Sequence, residues 1–218
     1  MHFSRRLPAV LLLALAATSC TRLFYASMKK LGKEKKDILV SRILDGKKAQ
    51  KEAADQFKTT LEAFQAVTAF NGGNLEKAYN KLNNQLEDAQ DRAEKVHGRI
   101  QSIEKVSGDL FKEWGGEIDQ MSNGKLKNES RQLLRDSEQR NRTLLRQMRA
   151  SEDKMKPVLQ AFRDQVIFLK HNLNAQAIQS LKTHAAGIDS GVAKLIHEIE
   201  LANHEADQTI AGLDKASE

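Results

Sequence analysis

Apolar residues recur at steps of three and four along nearly the whole chain, and Asn/Gly turns interrupt them at intervals of about fifty residues. That spacing places one apolar stripe on each of several long helices, and tight turns between equal segments fold such helices back antiparallel. Asn71-Gly72-Gly73-Asn74 forms the first turn, with Asn74 suited to cap the next helix. Ser122-Asn123-Gly124 forms the second, and His171-Asn172-Leu173-Asn174 a third that again offers an Asn cap. The first segment carries Leu39, Ile43, Ala53, Phe57, Leu61, Phe64, Val67 and Phe70. The second runs from Leu75 and Ala78 through Leu82, Leu86, Ala89, Ala93, Val96, Ile100, Ile103, Val106, Leu110, Trp114 and Ile118 to Met121. The fourth runs from Ile178 and Leu181 through Ala185, Ile188, Val192, Leu195, Ile199, Ala202, Ala206 and Ile210 to Leu213, close to an unbroken heptad seam. The expected fold is all-α, a rod-like, four-segment antiparallel coiled-coil bundle. A helix of about 47 residues at 1.5 Å per residue is about 70 Å long.

The third segment departs from the pattern. Its seam runs Leu134, Ser137, Asn141, Leu144, Met148, Ser151, Met155, Leu159, Phe162, Val166 and Leu169. Three of the positions in its first half are polar, which predicts a loosely packed, partly wet stretch of core, or a register-fixing Asn. Pro157 lies inside this pattern and is expected to end a helix near Lys156 or to kink a continuous one. Gly115-Gly116 is expected to bend the second helix after Trp114.

Composition excludes the main alternatives. Aromatics make up 5 % of the chain, too few for a β-sandwich or barrel. One cysteine cannot build a disulfide scaffold. No apolar run reaches the length of about 20 residues that a polytopic membrane protein repeats.

The first residues, MHFSRRLPAVLLLALAATSC, have the order of a secretory leader: Arg5 and Arg6, an apolar stretch from Leu7 to Ala17, then small residues. Ala17-Thr18-Ser19-Cys20 resembles the bacterial lipobox, in which cleavage between Ser19 and Cys20 leaves a cysteine linked to diacylglycerol. The chain's single cysteine falls at that place. The resemblance implies a leader over residues 1–19, Cys20 as the lipid attachment site, and anchoring by two or three acyl chains, which is stable where one chain is not. Thr21 follows the cysteine; an aspartate there usually marks inner-membrane retention, so outer-membrane sorting is implied.

Residues 21–50 hold nine basic groups (Arg22, Lys29, Lys30, Lys33, Lys35, Lys36, Arg42, Lys47, Lys48) against three acids (Glu34, Asp37, Asp45). The whole chain has 35 Lys+Arg and 29 Asp+Glu, so the positive excess sits beside the anchor. Residues 20–35 therefore read as a lipidated basic stalk near anionic headgroups, where each Lys or Arg contributes about 1 kcal/mol. Residues 36–218 read as one elongated helical domain. A basic chain also suits nucleic acid, but export argues against that partner.

Three constellations are candidates for chemistry. Glu94–His97 is a single Glu-x-x-His match, where di-metal bundles need two plus two further Glu. His197, Glu200, His204 and Asp207 share one helix face but flank the seam and are expected to point outward. Arg131, Arg135, Arg142, Arg146 and Arg149 line one stripe of the third helix. They are expected to pair with Glu87, Asp88, Asp91 and Glu94 on a neighbouring helix or to be solvated; the other reading is an anionic partner such as a cell-wall polymer, lipid headgroups or an acidic helix. No catalytic residue, metal site or cofactor is expected, and no nucleophile elbow, phosphate loop or zinc pattern occurs.

The run Tyr25 to Val40, the following Ser41-Arg42-Ile43, the Gln50…Gln56-Phe57…Leu61-Glu62…Phe64 spacing and the stretch from Met155-Lys156-Pro157 to Phe168-Leu169-Lys170-His171-Asn172-Leu173-Asn174-Ala175 resemble a bacterial family defined only as domain of unknown function 2959. The resemblance implies a coiled-coil lipoprotein and adds no activity. Lys33-Glu34 stand where that family commonly has an aromatic. The functional expectation is an outer-membrane-anchored, periplasm-facing scaffold or adaptor that is not an enzyme, meeting an envelope protein or the cell wall near Gly72 or His171, with self-association as a further option. The alternative is a membrane-active helical protein that binds or perturbs bilayers.

Overall fold

Three asparagine side chains start three of the helices. Asn74 Oδ1 accepts from the Lys77 amide at 2.9 Å, Asn123 Oδ1 from Lys125 and Leu126 at 3.0 and 3.2 Å, and Asn174 Oδ1 from Ala177 at 2.9 Å. Each satisfies amides that no intrahelical carbonyl can reach, which is what sets the helix start. The computed structural model describes residues 35–72 and 74–215. The described residues form α1 (Lys35–Thr68), α2 (Leu75–Gln120), α3 (Gly124–His171) and α4 (Ala175–Lys215). The leader, Ser19, Cys20 and the basic stalk up to residue 34 lie outside the described residues.

α1 packs against α2 and α4, and α3 against the same two, so the helices close a ring with α1 and α3 on one diagonal. Short turns make neighbours antiparallel. At the first turn Gly72 adopts φ +152°, a backbone state in which a side chain is strained. The core runs the length of the bundle axis. Leu39, Ile43, Phe57 and Phe64 of α1 meet Leu82, Ile100 and Ile103 of α2, Leu144, Met148, Met155 and Phe162 of α3, and Leu181, Leu195 and Ile199 of α4. Phe64 and Phe162 touch edge-to-face across the diagonal, with centroids 6.1 Å apart.

Of the two expectations for Pro157, the one that ends a helix is overturned. α3 continues through it. Pro157 lies on the solvent side, where the carbonyl that loses its amide partner meets water rather than the core. α2 likewise runs through Gly115-Gly116.

The polar seam residues are buried as the spacing predicts. Ser137, Asn141 and Ser151 are all within the core. Gln50 Nε2 donates to Ser151 Oγ at 2.7 Å across the α1–α3 diagonal, and Ser151 Oγ donates to the Met148 carbonyl at 2.7 Å. Among the described residues, no hydrogen-bond partner reaches Gln50 Oε1, Asn141 Oδ1, Asn203 Oδ1 or Thr209 Oγ1. All four belong to the half of the bundle nearer the start of α1, whereas Phe57, Phe64 and Phe162 fill the other half. Gly46 belongs to the polar half too. A Cβ there would stand 2.9 Å from both Ile103 Cδ1 and Met148 Cε, so its absence lets three helices approach closely.

A double-mutant cycle tests the diagonal contact. Ser151→Ala strips Gln50 Nε2 of its acceptor and is expected to cost about 1–3 kcal/mol. Adding Gln50→Met removes the stranded donor and should recover most of that loss. Urea unfolding of the four proteins reads the coupling; additive effects would contradict the contact.

Candidate functional site

The five arginines project from one outer side of α3, and all are exposed. Arg131 Nη2 lies 3.1 Å from Asp119 Oδ1 and Arg149 Nη2 lies 2.6 Å from Glu104 Oε2, both acids on α2. Arg142 Nη1 pairs with Glu138 of its own helix at 3.6 Å and its Nη2 reaches the Gln139 side chain. Arg135 meets the Gln132 side chain and Arg146 Nη2 the Thr143 hydroxyl at 3.4 Å. The pairing is thus intramolecular in part, but with Asp119, Glu104 and Glu138. The expected partners Glu87, Asp88, Asp91 and Glu94 make no salt bridge with these arginines. Arg135 and Arg146 bond only neutral groups, so their charge is available to an anion. Exposed pairs of this kind contribute about 0–1 kcal/mol to stability each, and the stripe is chiefly a field-generating surface.

The Glu94–His97 pair resolves differently from its motif. His97 Nδ1 stands 2.8 Å from Glu152 Oε1 of α3, and its Nε2 is 2.8 Å from the Gln101 amide. The geometry fits a ring that donates from Nδ1 and accepts at Nε2. His97 therefore clips α2 to α3. The groove beside it, ≈ 430 Å³, is lined by Ala93, Glu94, His97, Glu152, Met155 and Arg163 among others, with no hydroxyl or thiol to act as nucleophile. On α4, His197, Glu200, His204 and Asp207 are all exposed, pointing outward as expected; His204 meets Gln208, and Asp207 pairs at the surface with Lys47 of α1 at 2.5 Å. Among the described residues, no group of three or more His, Cys, Asp or Glu is placed to hold a metal ion.

The densest charge junction was not among the sequence candidates. Glu52 of α1 receives Arg92 Nη1 at 2.6 Å and Lys95 Nζ at 3.4 Å from α2, with Lys48 at 4.0 Å. Desolvation pushes its carboxyl up, but the Lys95 hydrogen bond and the charges of Lys95, Arg92 and Lys48 together outweigh it. The net result is a pKa held below the ordinary 4.5. The signal in the sequence is weak: Lys48 stands one turn before Glu52, but Arg92 and Lys95 lie 40 and 43 residues away.

Residues 24–213 match the profile of a family described as a protein of unknown function, DUF2959. The chain belongs to this DUF2959 family. No curated protein and no solved structure matches it at a significant level. The match spans all four helices up to Leu213 of α4, so the bundle and the family domain coincide over the described residues.

Because the folded-state pKa of Glu52 is depressed, its contribution to stability is present above the unfolded value and is lost as pH falls through the folded value. Thermal midpoints measured downward from pH 6 should therefore fall less steeply below about pH 4.5 in Glu52→Gln than in the parent. Parallel curves would show that the junction carries no linked proton.

Proposed function

We propose that this DUF2959 chain is an outer-membrane-anchored, periplasm-facing lipoprotein that acts as a non-catalytic scaffold or adaptor of the envelope. One observation carries the reading. The start of α1 and the end of α4 share one end of the bundle, since Lys36 pairs with Asp214 at 3.6 Å. The turns at residues 69–74 and 172–174 lie at the other end, about 50 Å away for the 34 residues of α1. A lipid on Cys20 would hold the first end at the bilayer and carry the second out into the periplasm. Ile167, Phe168 and Leu173 are exposed toward that far end and offer apolar contact to an envelope protein. The arginine stripe would serve an anionic partner along the side, such as a cell-wall polymer. Among the described residues, no helix is long and apolar enough to cross a membrane, so attachment by lipid and not by a span suits them.

A second reading, helices that rearrange to perturb a bilayer, is favoured by the four unpaired oxygens of the polar half. A buried group without a partner costs about 1–3 kcal/mol, which lowers the barrier to opening there.

Mass spectrometry of the membrane-extracted protein should find a mature N-terminus at Cys20 carrying two or three acyl chains. Cys20→Ala should move the protein into the soluble fraction. An unacylated mature chain would contradict the anchor. Dye-loaded anionic vesicles separate the two readings: a scaffold leaves them sealed, a membrane-active protein empties them.

A further inference from the structure

The arginine stripe of α3 borders a valley whose other side is α2. Glu104, Gly108, Phe111, Gly115 and Asp119 follow one another along α2 at steps of four, three, four and four, so they share one flank of that helix. Arg149 and Arg131 pair with the two acids and mark this as the flank that faces α3. The two helices run antiparallel. Counting four and eleven residues from the Asp119–Arg131 pair sets Gly115 level with Arg135 and Gly108 level with Arg142. The two acids stand about 22 Å apart at 1.5 Å per residue. Between them the valley is floored by two glycines and the partly buried Phe111. Lys105 and Lys112, exposed and seven residues apart on α2, form the bank opposite Arg135, Arg142 and Arg146. The acid between the banks is Glu138, which Arg142 holds at 3.6 Å.

Packing does not require these glycines. A Cβ on Gly108 would meet nothing within 4 Å, and one on Gly115 would make ordinary contact with Leu134 Cδ2 at 3.8 Å. A glycine inside a helix lowers that helix's stability, so both positions sacrifice stability to keep the floor low. The positive charge beside them is not consumed within the bundle, since Arg135 and Arg146 bond neutral groups of their own helix.

We propose that this valley binds one strand of an anionic glycan, a sugar chain that carries carboxylates. The banks and the floor together select it. Amides and carbonyls inside a helix already bond one another, so the floor offers only carbon, from the glycine Cα atoms and the Phe111 ring. The C–H face of a sugar ring rests on such a surface. Guanidinium groups take its carboxylates through paired parallel hydrogen bonds, and the lysines add point charge. An acidic helix docks through a row of apolar anchors, and here Phe111 stands without a row. A bilayer surface is flat and does not enter a valley between two helices. The proposal rests on the reading that the stripe serves an anionic envelope partner, and it names the class of that partner.

Calorimetric titration of the full chain from residue 20, with Cys20→Ser to keep it soluble, tests the valley. The probes are oligogalacturonate, which carries a carboxylate on each ring, and inorganic polyphosphate of the same total charge. The sugar chain should bind more tightly. Arg135→Gln, Arg142→Gln and Arg146→Gln together should weaken it about 100-fold. A charge-matched control on other faces, Lys58→Gln with Lys81→Gln and Lys182→Gln, should change it less than about threefold. Gly108→Leu keeps every charge. It should weaken binding several-fold while raising the thermal midpoint, because the helix gains a better former. Equal binding of polyphosphate, an equal loss in the lysine control, or undiminished binding by Gly108→Leu would each overturn the proposal. Anionic vesicles that displace the sugar chain would overturn it too and assign the arginines to lipid headgroups. None of these readouts involves an acyl group, so failure here is distinct from failure of the lipid anchor.

Discussion

The bundle axis is where four apolar stripes must meet, and that single requirement fixes the rest of the molecule. Most of a helix's stability in a protein comes from packing its apolar face, so each of these depends on burying its stripe against the others. With few aromatics and many alanines, the seam is narrow, and stability accumulates from small contacts repeated along the rod. The ring order follows from the turns: short connections place each helix beside its predecessor, and α4 then closes on α1. Charge junctions such as Glu52 with Arg92 and Lys95 lie over the seam at helix boundaries and fix the register of neighbours.

The two halves of the rod are built differently. One is filled by Phe57, Phe64 and Phe162, and its buried Thr60 and Thr68 hydroxyls both donate to backbone carbonyls. The other admits Gly46, Gln50, Ser137, Asn141, Ser151 and Thr209, with several oxygens unpaired. Buried polar groups specify register when satisfied and weaken packing when not. Gln50 with Ser151 does the first, and Asn141 with Thr209 the second. The half with the unpaired oxygens is the one at the start of α1, so local opening is favoured near the end that the proposed anchor would hold.

Much of this was legible from spacing alone. The turns announced themselves by Asn and Gly, and the seam by its steps of three and four, down to the buried Ser137, Asn141 and Ser151. What escaped notice were positions where the pattern is carried by residues that do not look apolar. Gly46 and Gln50 fill the gap between Ile43 and Ala53, and their burial depends on Met148 and Ser151, about a hundred residues away. The acid partners of the arginine stripe were misassigned for a similar reason. The longitudinal register of α2 against α3 is set by core interdigitation, which brings Glu104 and Asp119 to Arg149 and Arg131. Pro157 was read with two outcomes, and its exposed position decides for the continuous helix.

An elongated body with its start at one end and two turns at the other is the claim on which the functional proposal rests. Spin labels at Ser122 and Asn172, one at each end of α3, measure it directly by dipolar spectroscopy. The account predicts a narrow distribution centred near 70 Å for the 48 residues between the turns, with a label at Lys36 on the Ser122 side. A broad distribution below about 40 Å, the span of a compact domain with a chain of this size, would contradict it.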